Sequence, residues 1–187
     1  MAEVVEAMLV FLDFEASSLS KRSYPVEVAW VFEDGREEAH LIRPAPAWTD
    51  WDPVAEAIHG IDRATLERDG TPHGVVAERM VAELSGHDLR ASAPSWDGKW
   101  LSALLRAAGL PRRSLRLADS DDALLDAARD GLRDTVPAAE LEAAAAALVA
   151  RVEARLSGPP AHRALADARA EHALWLAVRE AAEAPRT

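Results

Sequence analysis

The sequence predicts an α/β fold, a five-stranded mixed sheet flanked by helices. Three observations predict it. Apolar runs of strand length, separated by turn residues, fill the segment up to Arg43. Beyond it, helical periodicities alternate with short strand-like runs. A chain of 187 residues, 49% of them apolar, suits one domain with a substantial core.

The first strand spans Met8 to Glu15. It is apolar on both faces, as a central strand is. A second strand follows at Val26 to Glu33, and Asp34-Gly35 is a hairpin turn signal. The third runs from Glu38 to Arg43, where Pro44 and Pro46 end it, and the three form an antiparallel meander. Asp52 to Ser85 is helical with a break at Gly70-Thr71-Pro72. Leu89 to Ser95 is a fourth strand, Lys99 to Ala108 a helix stopped by Gly109-Leu110-Pro111, and Ser114 to Ala118 a fifth strand. Ser120 caps an Asp-rich helix start. The Ala-rich segment from Asp121 to Leu156 makes two helices divided near Pro137. Ser157-Gly158-Pro159-Pro160 is a breaker, and the last helix runs from about Ala164 to Glu183. The whole reads as one domain over residues 1–183, with a loose tail over 184–187.

Composition removes several function classes. There is no cysteine, so disulfides, thiolate zinc sites and cysteine nucleophiles are excluded. No signal-peptide pattern opens the chain and no apolar run reaches membrane-spanning length, so a soluble, cytoplasmic protein is expected. The net charge of −11, with only Lys21 and Lys99 as lysines, argues against coating long nucleic acid through phosphate contacts. It leaves room for an enzyme that grips a few terminal nucleotides, with cations offsetting local charge. The acidic Ala-rich helices offer a solvated face or a dimer surface.

Two carboxylates, Asp13 and Glu15, close the first strand. Side chains alternate along a strand, so both lie on one face and Phe14 on the other. Acids at the end of a buried strand are costly unless a cation compensates them, and oxygen ligands favour magnesium or manganese. Asp97 follows Pro94-Ser95-Trp96 at a strand-to-helix junction, on the sheet edge where open α/β proteins bind ligands. His162 and Asp167 flank the start of the last helix. Five helical residues turn roughly 140° beyond a full revolution, so the two would not share a face if both were helical. Pro159 and Pro160 disfavour helix upstream. His162 is therefore expected in a loop above the helix start, with Asp167 in the first turns.

These elements together resemble the DEDDh 3′–5′ exonucleases. The residues that carry the resemblance are Leu12 through Leu19, Ser95 through Leu101, and His162 through Ala168, in that order over nearly the whole chain. Ile58-His59-Gly60-Ile61 is similar to a segment common between the first two motifs. Departures are Ser92 and Ala93, where a His-Asn pair is common, and Ser18 in place of a glycine. The resemblance implies a ribonuclease-H-like fold. It also implies two divalent ions, magnesium or manganese, held by Asp13, Glu15, Asp97 and Asp167. His162 would be the general base toward the attacking water, a role that suits an imidazole. Leu19 would pack on the terminal base, with the backbone of Ala16 and Ser17 meeting the 3′ end. The implied partner is single-stranded or 3′-terminal DNA or RNA, trimmed to nucleoside monophosphates. The scarcity of lysine favours RNA or short oligonucleotides over duplex DNA.

Each residue alone has a blander reading. Acid-x-acid can be a solvated strand end, Asp97 a helix cap, and Asp167 half of a surface ion pair. Two other functions remain open: a catalytically silent module that holds 3′ ends or a partner, and an endonuclease on the same fold. The remaining histidines, His40, His59, His73, His87 and His172, lack metal-ligand spacing and read as structural or surface residues, with contact to the site through its loop a second reading for His59. Trp30, Trp96, Trp100 and Trp175 read as core; Trp48 and Trp51 read as stacking or interface candidates.

Overall fold

A computed structural model describes residues 6–156 and 158–184. Residues 1–5 of the expected domain, Ser157 of the expected breaker and residues 185–187 of the expected tail lie outside the described residues. The strands are β1 (Leu9–Ala16), β2 (Pro25–Phe32), β3 (Glu37–Arg43), β4 (Thr71–Pro72), β5 (Asp88–Ala91) and β6 (Leu117–Asp119). The helices are α1 (Pro53–His59), α2 (Arg63–Asp69), α3 (His73–Leu84), α4 (Pro94–Ala107), α5 (Ser120–Leu132), α6 (Leu141–Leu156) and α7 (Ala164–Glu183).

The sheet is mixed, in the order β4-β3-β2-β1-β5-β6. The meander β1-β2-β3 is antiparallel, and β5 and β6 run parallel to β1. Among the described residues six strands stand where five were expected. The extra one, β4, is a two-residue parallel pairing of Thr71 and Pro72 with Ile42 and Arg43. Gly70 just before it is obligatory, since a Cβ there would lie 2.6 Å from the backbone nitrogen of Arg43. The fourth strand stops at Ala91 and its helix begins at Pro94, not Lys99. Proline fits the first helical turn, where its missing N–H is no loss. The strand expected at Ser114–Ala118 pairs three residues later in part, over Leu117–Asp119.

Alternation along β1 divides the core between the two faces of the sheet. Val10, Leu12, Phe14 and Ala16 pack with Val28, Trp30 and Phe32 of β2 beneath α3 and α4. Phe11 faces the other way, against Trp175, Val178 and the apolar stripes of α5, α6 and α7. Each such large apolar side chain contributes about 1.5–3 kcal/mol on burial. Asp13 and Glu15 belong to the Phe11 face, the one α7 covers. Gly131 lets α5 and α7 approach closely, since a Cβ there would sit 2.6 Å from Ala182 Cβ. Among the described residues, no helix is long and apolar enough to cross a membrane.

Candidate active site

The acids of β1 stand at its C-terminal end, beside the C-terminal end of the parallel strand β5. Asp13 is opposite Ala29 of β2, a small residue that leaves room above it. Glu15 is opposite Glu27. Asp97 lies in the first turn of α4, held there by its N–H on Ala93 O at 3.0 Å. It reaches the edge of the sheet from inside the helix, not from a junction before it. Asp97 is only 2% exposed, and its Oδ2 is buried without a hydrogen-bond partner.

α7 begins at Ala164, and Asp167 sits in its first turn, N–H on Arg163 O at 3.0 Å. The Asp167 Oδ1 atom accepts the Ala161 N–H at 2.8 Å. His162 lies between them in the loop. Its φ of 53° is in the left-handed region, the only such non-glycine among the described residues. That conformation costs of order 1–3 kcal/mol and persists only where the surroundings enforce it. One ligand atom each from Glu15, His162 and Asp167 lie within 4.8 Å of one another.

The electrostatics show negative charge in excess of its compensation. Burial, and then the charges of Asp97, Glu15, Asp167 and Glu171, push the Asp13 carboxyl up to about 9. Burial followed by Asp167 and Glu27 raises Glu15 to about 7, with Arg163 pulling the other way. Burial raises Asp97 to about 7 against backbone hydrogen bonds at Ala93 and Phe14. Carboxyls that resist ionisation this strongly at neutral pH want a cation. The oxygen-rich donor set, the orphaned Asp97 oxygen and the ligand-distance trio all fit a divalent metal ion.

A cavity of about 750 Å³ brings Asp13, Glu15, Asp97, His162 and Asp167 onto one surface, together with Ala16 and Leu19. Leu19 is 70% exposed at the tip of the loop after β1. Ser17 does not reach this surface. It is buried, and its N–H, hydroxyl and carbonyl are taken by Tyr24 and Asp52. Ser18 bonds Asp50 through its hydroxyl, and Lys99 ties the loop to α4 through Ser20 O and Ser23 Oγ.

Four residues at or behind this surface were not assigned to it from sequence. Trp96 is 38% exposed and lines the cavity, rather than filling core as its apolar neighbourhood suggested. Trp48 and Trp51 are the reverse: Trp48 stacks on Tyr24 at 5.0 Å between ring centroids, and Trp51 bonds Glu56. Glu171 lines the cavity one helical turn after Asp167; that i, i+4 spacing was its available signal. His59 is buried at the cavity wall, with Nδ1 accepting the Ile61 N–H at 3.0 Å and Nε2 unpartnered. Glu27, behind Glu15, carried no local signal, because only strand register places it there.

No known protein family and no curated protein matches the chain. Solved structures do. A zinc-bound E. coli exonuclease I–single-stranded DNA complex is 18% identical with a TM-score of 0.64, over 91% of this chain and 40% of that one. A second exonuclease I structure is 19% identical, TM-score 0.63, over 90% and 40%. A moderately thermophilic exonuclease I from Methylocaldum szegediense is 20% identical, TM-score 0.63, over 93% and 40%. The chain spans about 40% of the length of these proteins. At this identity the likeness is one of architecture, and the chain has the exonuclease I fold.

Proposed function

We propose that this chain is a divalent-metal-dependent 3′–5′ exonuclease that removes nucleoside monophosphates from single-stranded or short nucleic acid and works in the cytoplasm. The observation that carries the reading is the meeting of four carboxylates and one histidine in a single cavity. They arrive from the end of β1, the start of α4 and the start of α7, on a fold shared with exonuclease I.

Asp13, Glu15, Asp97 and Asp167 would hold two magnesium or manganese ions. When bound, such ions neutralise the carboxylates and stabilise charge on the attacking and leaving oxygens. His162 takes the proton from the attacking water. The water oxygen bonds to phosphorus, the bond from phosphorus to the 3′ oxygen breaks, and that oxygen ends protonated. The products are a nucleoside 5′-monophosphate and a chain one nucleotide shorter with a free 3′ hydroxyl. Leu19 and the exposed Trp96 offer apolar surface for the terminal base, with Ala16 backbone near the 3′ end.

Among the described residues lining the cavity there is no lysine or arginine. The lining thus offers phosphates no direct side-chain cation, which favours short local contacts and distributive trimming. Exonuclease I structures hold single-stranded DNA, which supports that substrate for this site.

The test is a time course on 5′-labelled single-stranded DNA and RNA with manganese. Shortening by single nucleotides from the 3′ end is expected. Early internal fragments would make the chain an endonuclease, and tight binding without shortening would make it a silent 3′-end module.

A further inference from the structure

We infer that Glu27 and Arg163 form a clamp that positions His162 and Asp167 against Glu15, Glu27 being a positioning residue and not a metal ligand; this rests on the exonuclease reading above.

Glu27 stands directly opposite Glu15 in the β1–β2 register. Opposed residues of an antiparallel pair have β-carbons about 5 Å apart, and like charges there are unfavourable. Glu27 is also 4% exposed, so its charge needs partners. It has them, and all come from the start of α7. Oε1 accepts Arg163 Nη2 at 2.7 Å, and Oε2 accepts Arg163 Nε at 3.1 Å. Oε2 also accepts the backbone N–H of Ala164 at 2.9 Å. Three donors on its two oxygens tie Glu27 to the start of α7, the arrangement of a positioning residue.

The forked bond is the planar, two-point geometry that fixes orientation as well as distance. The bond to Ala164 does a second job. α7 has no capping side chain of its own, since Arg163 occupies the cap position without a side-chain bond to the helix. Glu27 satisfies the otherwise unpaired first N–H from the neighbouring strand instead.

His162 is therefore pinned on both sides. Upstream, Ala161 N–H is held by Asp167; downstream, Arg163 and Ala164 are held by Glu27. This is what a left-handed histidine at φ 53° requires. With the loop so held, the His162 ring and the Asp167 carboxylate come within ligand distance of Glu15. One strand pair thus supplies both a ligand, Glu15, and the residue that brings the other elements of the site to it.

The experiment compares the unaltered protein with Glu27→Gln, Arg163→Ala, Arg163→Lys and the Glu27→Gln/Arg163→Ala pair. Three quantities are read: kcat and KM on a single-stranded oligonucleotide with manganese, manganese affinity by calorimetric titration, and thermal melting. Glu27 keeps the Ala164 N–H when Arg163 is removed, so Arg163→Ala carries the test if Glu27→Gln does not fold, and Arg163→Lys, which keeps a cation on the buried Glu27, carries it if Arg163→Ala does not. The expected result is a fall of about 10–100-fold in kcat and about tenfold in manganese affinity, the usual effect of removing a ligand's support. KM should stay within about threefold, Arg163→Lys should recover part of the loss, and the pair should lose no more than about threefold beyond Arg163→Ala alone. A folded Arg163→Ala variant with kcat and manganese affinity within about twofold of the unaltered protein would overturn the clamp, as would a change confined to KM. If the unaltered protein binds manganese but releases no mononucleotide, the nuclease reading fails. The clamp is then decided by manganese affinity alone.

Discussion

Asp167 accepts the backbone N–H of Ala161 at 2.8 Å, so the carboxylate that opens α7 also holds the loop carrying His162. One side chain serves as a candidate ligand and as the anchor of the candidate base.

That double role separates two substitutions. Asp167→Asn keeps an acceptor oxygen for Ala161 and removes the charge; Asp167→Ala removes both. Both should lose about 10³-fold or more in kcat, as loss of metal-centred charge stabilisation demands. Hydrogen exchange at the Ala161 amide should stay slow in the Asn variant and become fast in the Ala variant. By contrast, His162→Ala should lose about 10²–10⁴-fold in kcat with Ala161 exchange unchanged.

Asp13 carries a different cost. Its carboxyl is pushed up to about 9 by burial and by its acidic neighbours. Without metal it is a liability to folding, so Asp13→Asn should melt a few degrees higher than the unaltered protein in EDTA. Manganese should raise the melting temperature of the unaltered protein much more than that of the variant, and the variant should be inactive. A variant that melts lower in EDTA would show that Asp13 is compensated within the protein.

The same carboxyls set a pH dependence. Asp13, Glu15 and Asp97 are raised to about 9, about 7 and about 7, from ordinary values of 3.8, 4.5 and 3.8. The folded metal-free protein therefore holds protons that the unfolded chain releases. Their contribution is fully present below about pH 4 and is lost as pH rises through about 7 and then 9. In EDTA, stability from these groups falls with rising pH over that window. Metal binding displaces the same protons, so the manganese-induced rise in melting temperature should grow from pH 6 to pH 9. Melting curves with and without manganese at several pH values check this; a manganese effect that shrinks as pH rises would contradict it.

How far the chain could be read in advance follows from where each signal lies. The acids of β1, the turn at Asp34-Gly35 and the start of the last helix at Ala164 are marked by neighbours along the chain, namely an apolar run, a turn dipeptide and a pair of prolines. Gly35 has φ 85°, and its N–H bonds Phe32 O at 2.9 Å, as the turn needs. β4 could not be read, because two residues show no periodicity. The start of α4 is not legible in the sequence, because a proline such as Pro94 marks a strand end and a first helical turn equally well. Trp96 was assigned to the core by its apolar neighbours, yet the start of α4 turns it toward the cavity. Glu27 was out of reach for a deeper reason. Within β2 it is one polar residue among apolar ones, and its partners lie more than 130 positions away in the sequence.

Leu19 tests how the terminal nucleotide is gripped. It is 70% exposed at the cavity rim, so Leu19→Ala should leave melting unchanged. Lost apolar cover for the terminal base should raise KM by roughly three- to tenfold, the worth of part of a leucine side chain, with a smaller effect on kcat. Steady-state kinetics on a short single-stranded oligonucleotide would show it. An unchanged KM would move the base to another wall of the cavity.

The central claim is that this carboxylate–histidine cavity hydrolyses phosphodiesters at 3′ ends with the help of divalent metal. The most direct measurement is chromatographic release of nucleoside 5′-monophosphate from single-stranded DNA, with manganese and then with EDTA, for the unaltered protein and for Asp13→Asn. The account predicts steady monophosphate release by the unaltered protein with manganese, none with EDTA and none from the variant. Equal release in EDTA, or from Asp13→Asn, would contradict it.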